Sequence, residues 1–165
     1  MTRASTYTLR EARAADAAAL TALAIRSKAY WGYDAPTMAV FRKELALGTR
    51  EIEDWVVVVL SDARKPVGFY ALAECGEETG EVERLFVEPT ELGRGHGRQL
   101  LDDAVARARS LGWQRLVIAS DPFAEGFYLC HGAVRVGRIR SSIPGRSLPL
   151  LHLYTAQRDA FEGLT

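Results

Sequence analysis

The 165-residue chain has no surplus of either charge: 21 Lys and Arg are balanced by 21 Asp and Glu. The global basic footprint of a nucleic-acid binder is therefore missing. So is any block of like charge that would make a polyelectrolyte tail, and a charged ligand has to be held by local features. Long apolar runs are missing too. The longest, Trp55 to Leu60, has six residues, against about 20 for a bilayer span, so no membrane crossing is expected. The N-terminal MTRASTYTLREAR is arginine-rich but has no apolar stretch before a cleavage site, which argues against a signal peptide. Cysteine is scarce. Cys75 and Cys130 form no CxxC and have no histidine pair nearby, and adjacent residues such as Cys130 and His131 point apart and chelate poorly. No metal site is expected. Both thiols read as buried or reduced, Cys130 as core packing, in keeping with a cytoplasmic setting.

What is present is ordinary globular material. Hydrophobic residues make up 48% and charged residues 25%, and the length predicts one domain over residues 1–165 that buries its own core. Tyr7 and Leu9 alternate with Thr8 and Arg10 as a first strand. Asp16 is placed to cap an alanine-rich helix with Leu20, Leu23, Ala24 and Ser27 on its apolar face. A second helix is expected from about Thr37 to Leu47, stopped by Gly48. Trp55 to Leu60 reads as a strand buried on both faces, and Val67 to Ala73 as the next. Glu81 to Val87 alternates, setting Glu81, Glu83, Leu85 and Val87 against Val82, Arg84 and Phe86. A helix to Leu111 follows, with Leu100, Ala104, Ala108 and Leu111 on one face and the pairs Arg98–Asp102 and Asp103–Arg107 on the other. Leu116 to Ala119 is a short strand, Pro122 opens a helix ending near Gly132, and Val134–Ile139 and Leu150–Tyr154 are the last strands. The order β-α-α-β-β-β-α-β-α-β-β makes a mixed α/β domain on a central sheet.

The chemistry concentrates in Val87-Glu-Pro-Thr-Glu-Leu-Gly-Arg-Gly-His-Gly-Arg98, between a strand and a helix. Gly93, Gly95 and Gly97 let the backbone approach a ligand closely. The free N–H groups of the loop and helix start, with the helix dipole behind them, suit a phosphate or diphosphate, and Arg94 and Arg98 add positive charge. A tight strand–helix turn that binds nothing is the plain alternative. A Walker A loop would need Gly-Lys-Ser/Thr where the chain has Gly97-Arg98-Gln99. A dinucleotide fingerprint would need G-x-G-x-x-G early in a βαβ unit, whereas here the glycines run G-x-G-x-G after four strands. Both fit poorly.

The loop, the following Arg98-Gln-Leu-Leu101 and the later pair Phe127-Tyr128 together resemble the GNAT superfamily of acyl-CoA-dependent N-acetyltransferases. The element order is similar over nearly the whole chain. The family loop Gln/Arg-x-x-Gly-x-Gly/Ala maps onto Leu92 to Gly97. Leu92 stands where Gln or Arg is usual, Asp121 where Asn is common, and Gly132-Ala133 where Gly-Phe is usual. Ser27-Lys-Ala-Tyr-Trp-Gly-Tyr33 and Gly145-Arg-Ser-Leu-Pro-Leu150 resemble marks of one bacterial subgroup.

The resemblance implies a mostly antiparallel sheet of about seven strands with helices on both faces and a splayed parallel pair. It implies acetyl-CoA as cosubstrate, its diphosphate held by Gly93, Arg94, Gly95, His96, Gly97 and Arg98. The pantetheine arm would run along the backbone at Phe86 and Val87. The acceptor would be a small-molecule or peptide amine attacking the thioester directly, with a backbone N–H near Val87 steadying the oxyanion. A base is needed to free the amine: Glu83, Glu81 or a water beside them. Tyr128 occupies the family's position for protonating the leaving thiolate.

Each side chain also has a plainer reading: Glu81 and Glu83 as a solvated edge, Tyr128 as core, His96 as a loop residue. Tyr30, Trp31 and Tyr33 are either the acceptor wall or an interhelix plug. Arg138, Arg140 and Arg146 read as solvated, with recognition of an anionic acceptor as the alternative. Two other functions stay open: an inert CoA-binding partner module, and a nucleotide- or phosphate-binding protein using the same loop. Members of the superfamily are often dimers, which leaves a homodimer open.

Overall fold

The computed structural model describes residues 6–156. Seven strands form one sheet in the order β1-β2-β3-β4-β5-β7-β6. They are β1 (Tyr7–Glu11), β2 (Val56–Asp62), β3 (Lys65–Gly76), β4 (Thr79–Val87), β5 (Arg115–Ala119), β6 (Val134–Arg140) and β7 (Ser147–Tyr154). Every neighbouring pair is antiparallel except β4 and β5. The helices are α1 (Ala17–Ala29), α2 (Ala35–Glu44), α3 (Thr49–Asp54), α4 (His96–Ser110) and α5 (Glu125–Cys130). None of them is long and apolar enough to cross a membrane.

Each face of the sheet carries its own core. On one, Leu100, Leu101 and Ala104 of α4 pack on Leu60, Tyr70, Leu116 and Leu151. On the other, Leu20 and Leu23 of α1 and Met38 and Phe41 of α2 pack on Val57, Val59, Phe69 and Ala71. The unbroken run Val57–Leu60 thus feeds both cores, as its lack of polar alternation requires. Helix α4 is bounded by backbone chemistry: Gly95 precedes it at φ +81. Gly112 follows it at φ +80, with Trp113 N–H returning to the Ala108 carbonyl and Gly112 N–H to Arg109, the bonding pattern of a Schellman stop.

Several expectations are corrected. Helix α2 ends at Glu44, short of the expected Leu47, so Gly48 does not stop it; Gly48 opens a third helix, α3, where Glu51 reaches back to the Gly48 N–H at 3.0 Å. That six-residue helix has one buried apolar side chain, Ile52, and so leaves no periodic signal. Asp16 caps no helix N–H groups of α1. Its carboxylate takes Arg10 in a fork at 2.8 and 2.9 Å and the Arg13 N–H at 2.7 Å. Helix α5 starts three residues after Pro122, because Asp121–Ala124 forms a turn first. Leu111 is exposed at the end of α4. Asp103 accepts from the buried Tyr70 hydroxyl at 2.6 Å while Arg107 turns to Glu11, so the expected Asp103–Arg107 pair is replaced by two tertiary contacts. Cys75 and Cys130 are free but exposed, so neither packs in the core.

The correction that matters most for function lies in β4. Ala71 pairs with Arg84 and Leu72 with Val82, so Glu83 faces no partner across the ladder. This extra residue is a β-bulge, and it flips the side-chain parity beyond it. Val82, Leu85 and Val87 consequently share the α4 side, while Phe86 faces the α1–α2 core. The strict alternation expected across residues 81–87 fails at this one residue.

Candidate functional site

The parallel pair β4–β5 holds for only three rungs, Thr79–Arg115, Gly80–Leu116 and Glu81–Val117. Past Glu81 the strands part, and a cleft of about 730 Å³ opens between them. Its walls include Leu85 to Val87 of β4, Ile118 and Ala119 of β5, and Tyr128 of α5. The main chain in the gap is unsatisfied by design of the ladder. Glu88 N–H donates to the Val67 carbonyl at 2.8 Å, and in an antiparallel ladder hydrogen-bonded positions alternate. Phe86 therefore bonds back to β3, while Leu85 and Val87 aim their N–H and C=O groups into the cleft. The expected backbone contacts are Phe86 and Val87. The structure keeps the Phe86 side chain in the cleft wall but gives the free backbone to Leu85 and Val87, a phase set by the Glu88–Val67 bond and carried by no local sequence signal.

One end of the cleft is the glycine loop. Gly93 (φ +80) and Gly95 (φ +81) occupy the left-handed region, and nothing lies within 4 Å of where a Cβ would stand on either. That open space and the free N–H groups starting α4 face the same cleft. Gly97 sits inside α4, where a Cβ would come within 3.2 Å of the Phe127 ring, so its small size lets α5 close on α4. Arg98 is exposed, 3.8 Å from Asp102.

His96 is not a loop residue, as expected, but the buried first residue of α4. Its ring stands edge-on to Tyr7, centroids 4.4 Å apart. One oxygen of Glu91 gathers His96 Nε2 at 3.2 Å, Tyr7 OH at 3.3 Å and Arg94 at 3.0 Å. Desolvation pushes the Glu91 carboxyl up, but bonding to His96, Arg94 and Tyr7 outweighs it and holds the group below the usual range. The loop is thus pinned to β1, a contact invisible in sequence because 84 residues separate Tyr7 from Glu91.

The other end is built of side chains. Glu83, half-buried, has its carboxyl raised above the usual range, first by burial and then by the neighbouring Glu81 charge, with Arg84 at 3.9 Å opposing. A carboxylate poised nearer neutrality is what a general base for an amine requires. Tyr128 is buried beneath the opposite wall. Burial, then the Asp121 charge, pushes its hydroxyl well above the usual phenol range, so it is a proton donor at neutral pH.

Trp31 lines the cleft, stacked on Phe123 at 5.2 Å with planes 7° apart. Tyr30 packs edge-on behind Trp31 and is mostly exposed. Tyr33 turns its hydroxyl to Asp121 at 2.8 and 3.0 Å, and Asp121 itself lines the cleft. Arg146, expected to be solvated, is instead largely covered and donates to Tyr33 OH at 2.9 Å. Among the described residues no group of His, Cys, Asp and Glu is arranged to hold a metal. A smaller pocket of about 430 Å³ by Glu77, Thr79 and Arg115 has neither glycine loop nor helix start.

Comparison with known proteins agrees with this geometry. Residues 19–133 match the model of the acetyltransferase (GNAT) family. A peptidyl-lysine N-acetyltransferase, YjaB of Salmonella typhimurium, is 35% identical over 100 residues, which span 60% of this chain and 62% of that protein. PaiA N-acetyltransferase of Thermoplasma acidophilum, solved with coenzyme A, superposes with a TM-score of 0.75 at 16% identity, over 90% of this chain and 99% of that one. YncA of Salmonella typhimurium, solved with its cofactor acetyl-CoA, gives 0.67 at 21% identity, over 93% and 96%. These two likenesses establish the fold.

Proposed function

The chain belongs to the acetyltransferase (GNAT) family, and from that premise we propose that it transfers an acetyl group from acetyl-CoA to a primary amine within a ternary complex. One observation supports this reading above the others: β4 and β5 part after Glu81 to leave free main chain at Leu85 and Val87, leading directly into the glycine loop. An extended amide arm attached to a diphosphate matches that combination. The diphosphate suits the N–H groups of Gly93, Gly95, His96, Gly97 and the helix start at Arg98, and the amide arm adds to β4 as a further strand.

Bound acetyl-CoA supplies an activated acyl group as a thioester. The chain's own residues supply the rest. Glu83, with Glu81 beside it, accepts the proton that an ammonium must lose, directly or through a water. Val87 N–H can donate to a carbonyl oxygen that gathers negative charge. Tyr128, protonated at neutral pH, gives a proton to the leaving sulfur. The acceptor is a small-molecule or peptide amine, and the protein works in the cytoplasm, where its free Cys75 and Cys130 stay reduced.

Thermal shift with acetyl-CoA, CoA, ATP and NAD in parallel tests the cofactor. Acetyl-CoA at about 100 times its Kd should stabilise the fold by roughly 2.7 kcal/mol. Greater stabilisation by ATP or NAD would replace the reading with nucleotide binding. Acetyl-CoA binding without thiol release across a broad amine panel would leave an inert CoA-binding module.

A further inference from the structure

Two segments far apart in sequence, Ser27–Tyr33 and Gly145–Leu150, meet in the structure on one side chain. Lys28 Nζ lies 2.6 Å from Asp121 Oδ2. Tyr33 OH donates to both Asp121 oxygens. Arg146 reaches Tyr33 OH at 2.9 Å and Asp121 Oδ2 at 3.4 Å. Asp121 also accepts the Phe123 N–H at 2.9 Å, which fixes the turn into α5. The network is well covered: side-chain exposure is 13% for Lys28, 10% for Asp121 and 18% for Arg146. Lys28 sits over the Phe41 ring at 4.5 Å, and Arg146 over the same ring at 5.2 Å. Lys28 and Asp121 line the cleft together with Glu44, Glu81 and Glu83.

The third cation at this end, Arg84, is engaged as well. It donates to the Glu83 and Glu44 carbonyls at 2.8 and 2.7 Å and stacks by Trp55. Lys28, Arg146 and Arg84 therefore each have an internal partner, though Arg84 Nε is buried without one. Glu81, by contrast, pairs with no cation among the described residues, and Glu83 has only Arg84 at 3.9 Å.

We propose that Asp121 is the residue that determines acceptor charge: by holding Lys28 directly and Arg146 through Tyr33, it keeps both cations from a substrate carboxylate and leaves the acceptor end acidic. The preferred acceptor is then an amine whose carrier bears further positive charge and no carboxylate. A substrate carboxylate would have to displace Asp121 from two cations while lying near Glu81 and Glu83, which like-charge repulsion opposes. This rests on the acetyltransferase reading, and it gives an Asp at this position a role that a neutral Asn could not fill.

The test compares 1,5-diaminopentane, pentylamine and 5-aminopentanoate, equal in carbon chain and differing in terminal charge. Acetyl-CoA-dependent thiol release should rank diamine above monoamine above amino acid, with at least tenfold in kcat/KM between first and last. Asp121→Asn keeps the acceptor for Phe123 N–H but frees Lys28. It should improve the amino acid relative to the diamine by at least tenfold and leave the acetyl-CoA KM within twofold. Adding Lys28→Met to that variant should cancel the gain.

The same three compounds titrated calorimetrically into the CoA-loaded protein give the ranking without turnover. If no amine is acetylated, the transferase reading fails while the charge preference is still read from binding. A wild type that favours the amino acid, or an Asp121→Asn variant whose ranking is unchanged in both measurements, overturns the proposal. A variant whose change falls on acetyl-CoA affinity instead assigns Asp121 to the cofactor and overturns it too.

Discussion

The two ends of the cleft are made of different parts of the polypeptide. At the loop end, recognition belongs to the main chain: Gly93 and Gly95 at positive φ, the first N–H groups of α4, and the free backbone of Leu85 and Val87. At the acceptor end it belongs to side chains from two elements and two connecting segments, with Glu81 and Glu83 on β4, Lys28 on α1, Asp121 after β5 and Arg146 before β7. A diphosphate of fixed shape can be met by a fixed backbone. An acceptor amine has to be told from its rivals by charge and contour, which only side chains supply. The difference teaches where substitutions should hit binding and where they should hit rate.

The largest effect should come from Gly95→Val. A β-branched residue at φ +81 is strained whatever the surrounding space, and its side chain would stand in the cradle. Loss of two charge-assisted hydrogen bonds, about 1.5–3 kcal/mol each, raises the acetyl-CoA Kd by on the order of 100-fold or more. Calorimetry measures it, with circular dichroism showing the fold retained. Unchanged affinity would mean that the backbone does not define the loop end.

The acceptor end should respond in rate instead. Glu83→Gln should lower kcat by about 100-fold with the acetyl-CoA KM nearly unchanged, the lower range for loss of a general base. The pH profile sharpens this. Activity needs Glu83 ionised, so it is lost as pH falls through the Glu83 pKa, which burial and then Glu81 raise. Glu81→Gln removes the neighbouring charge, lowers that pKa, and should move the acid limb of kcat/KM to lower pH. A shift upward, or none, would separate the two carboxylates and return the base role to water. Tyr128→Phe comes next, with kcat down about tenfold and acetyl-CoA affinity kept, because its bond strengthens only as the sulfur leaves. An equal rate would remove Tyr128 from the chemistry.

The same division explains what the sequence makes legible. Gly93, Gly95 and the helix behind them announce themselves, because backbone recognition needs particular residues at adjacent positions. The strands and the long helices are equally plain, since Val57–Leu60 and Leu100–Ala108 carry period and composition. The bulge at Glu83 is hidden: it is set by how β3 pairs with β4, and neither Glu83 nor its neighbours are unusual for a strand. Helix α3 is hidden by its shortness. The Asp121 network is hidden by distance, since Tyr33 and Arg146 are 113 residues apart. Lys28 and Arg146 look like ordinary surface residues, and Tyr33 like part of an acceptor wall or an interhelix plug, until the fold closes on them.

The smallest expected effect probes whether the loop end is preorganised by the rest of the fold or only by its glycines. Tyr7 on β1 touches no ligand position; it donates to Glu91, which also gathers His96 and Arg94. Tyr7→Phe keeps the ring against His96 and deletes one bond of 3.3 Å, a long contact that belongs at the weak end of the range, about 0.5 kcal/mol. Tm should fall by about 1–2 °C, and the acetyl-CoA Kd should rise by about twofold, while kcat at saturation stays constant because nothing at Glu83 or Tyr128 has changed. A Tm loss with no change in Kd would mean that the glycine backbone holds its shape unaided and that β1 contributes stability alone. A fall in kcat would mean that the two ends are coupled through α4, and the division between a binding end and a rate end would have to be redrawn.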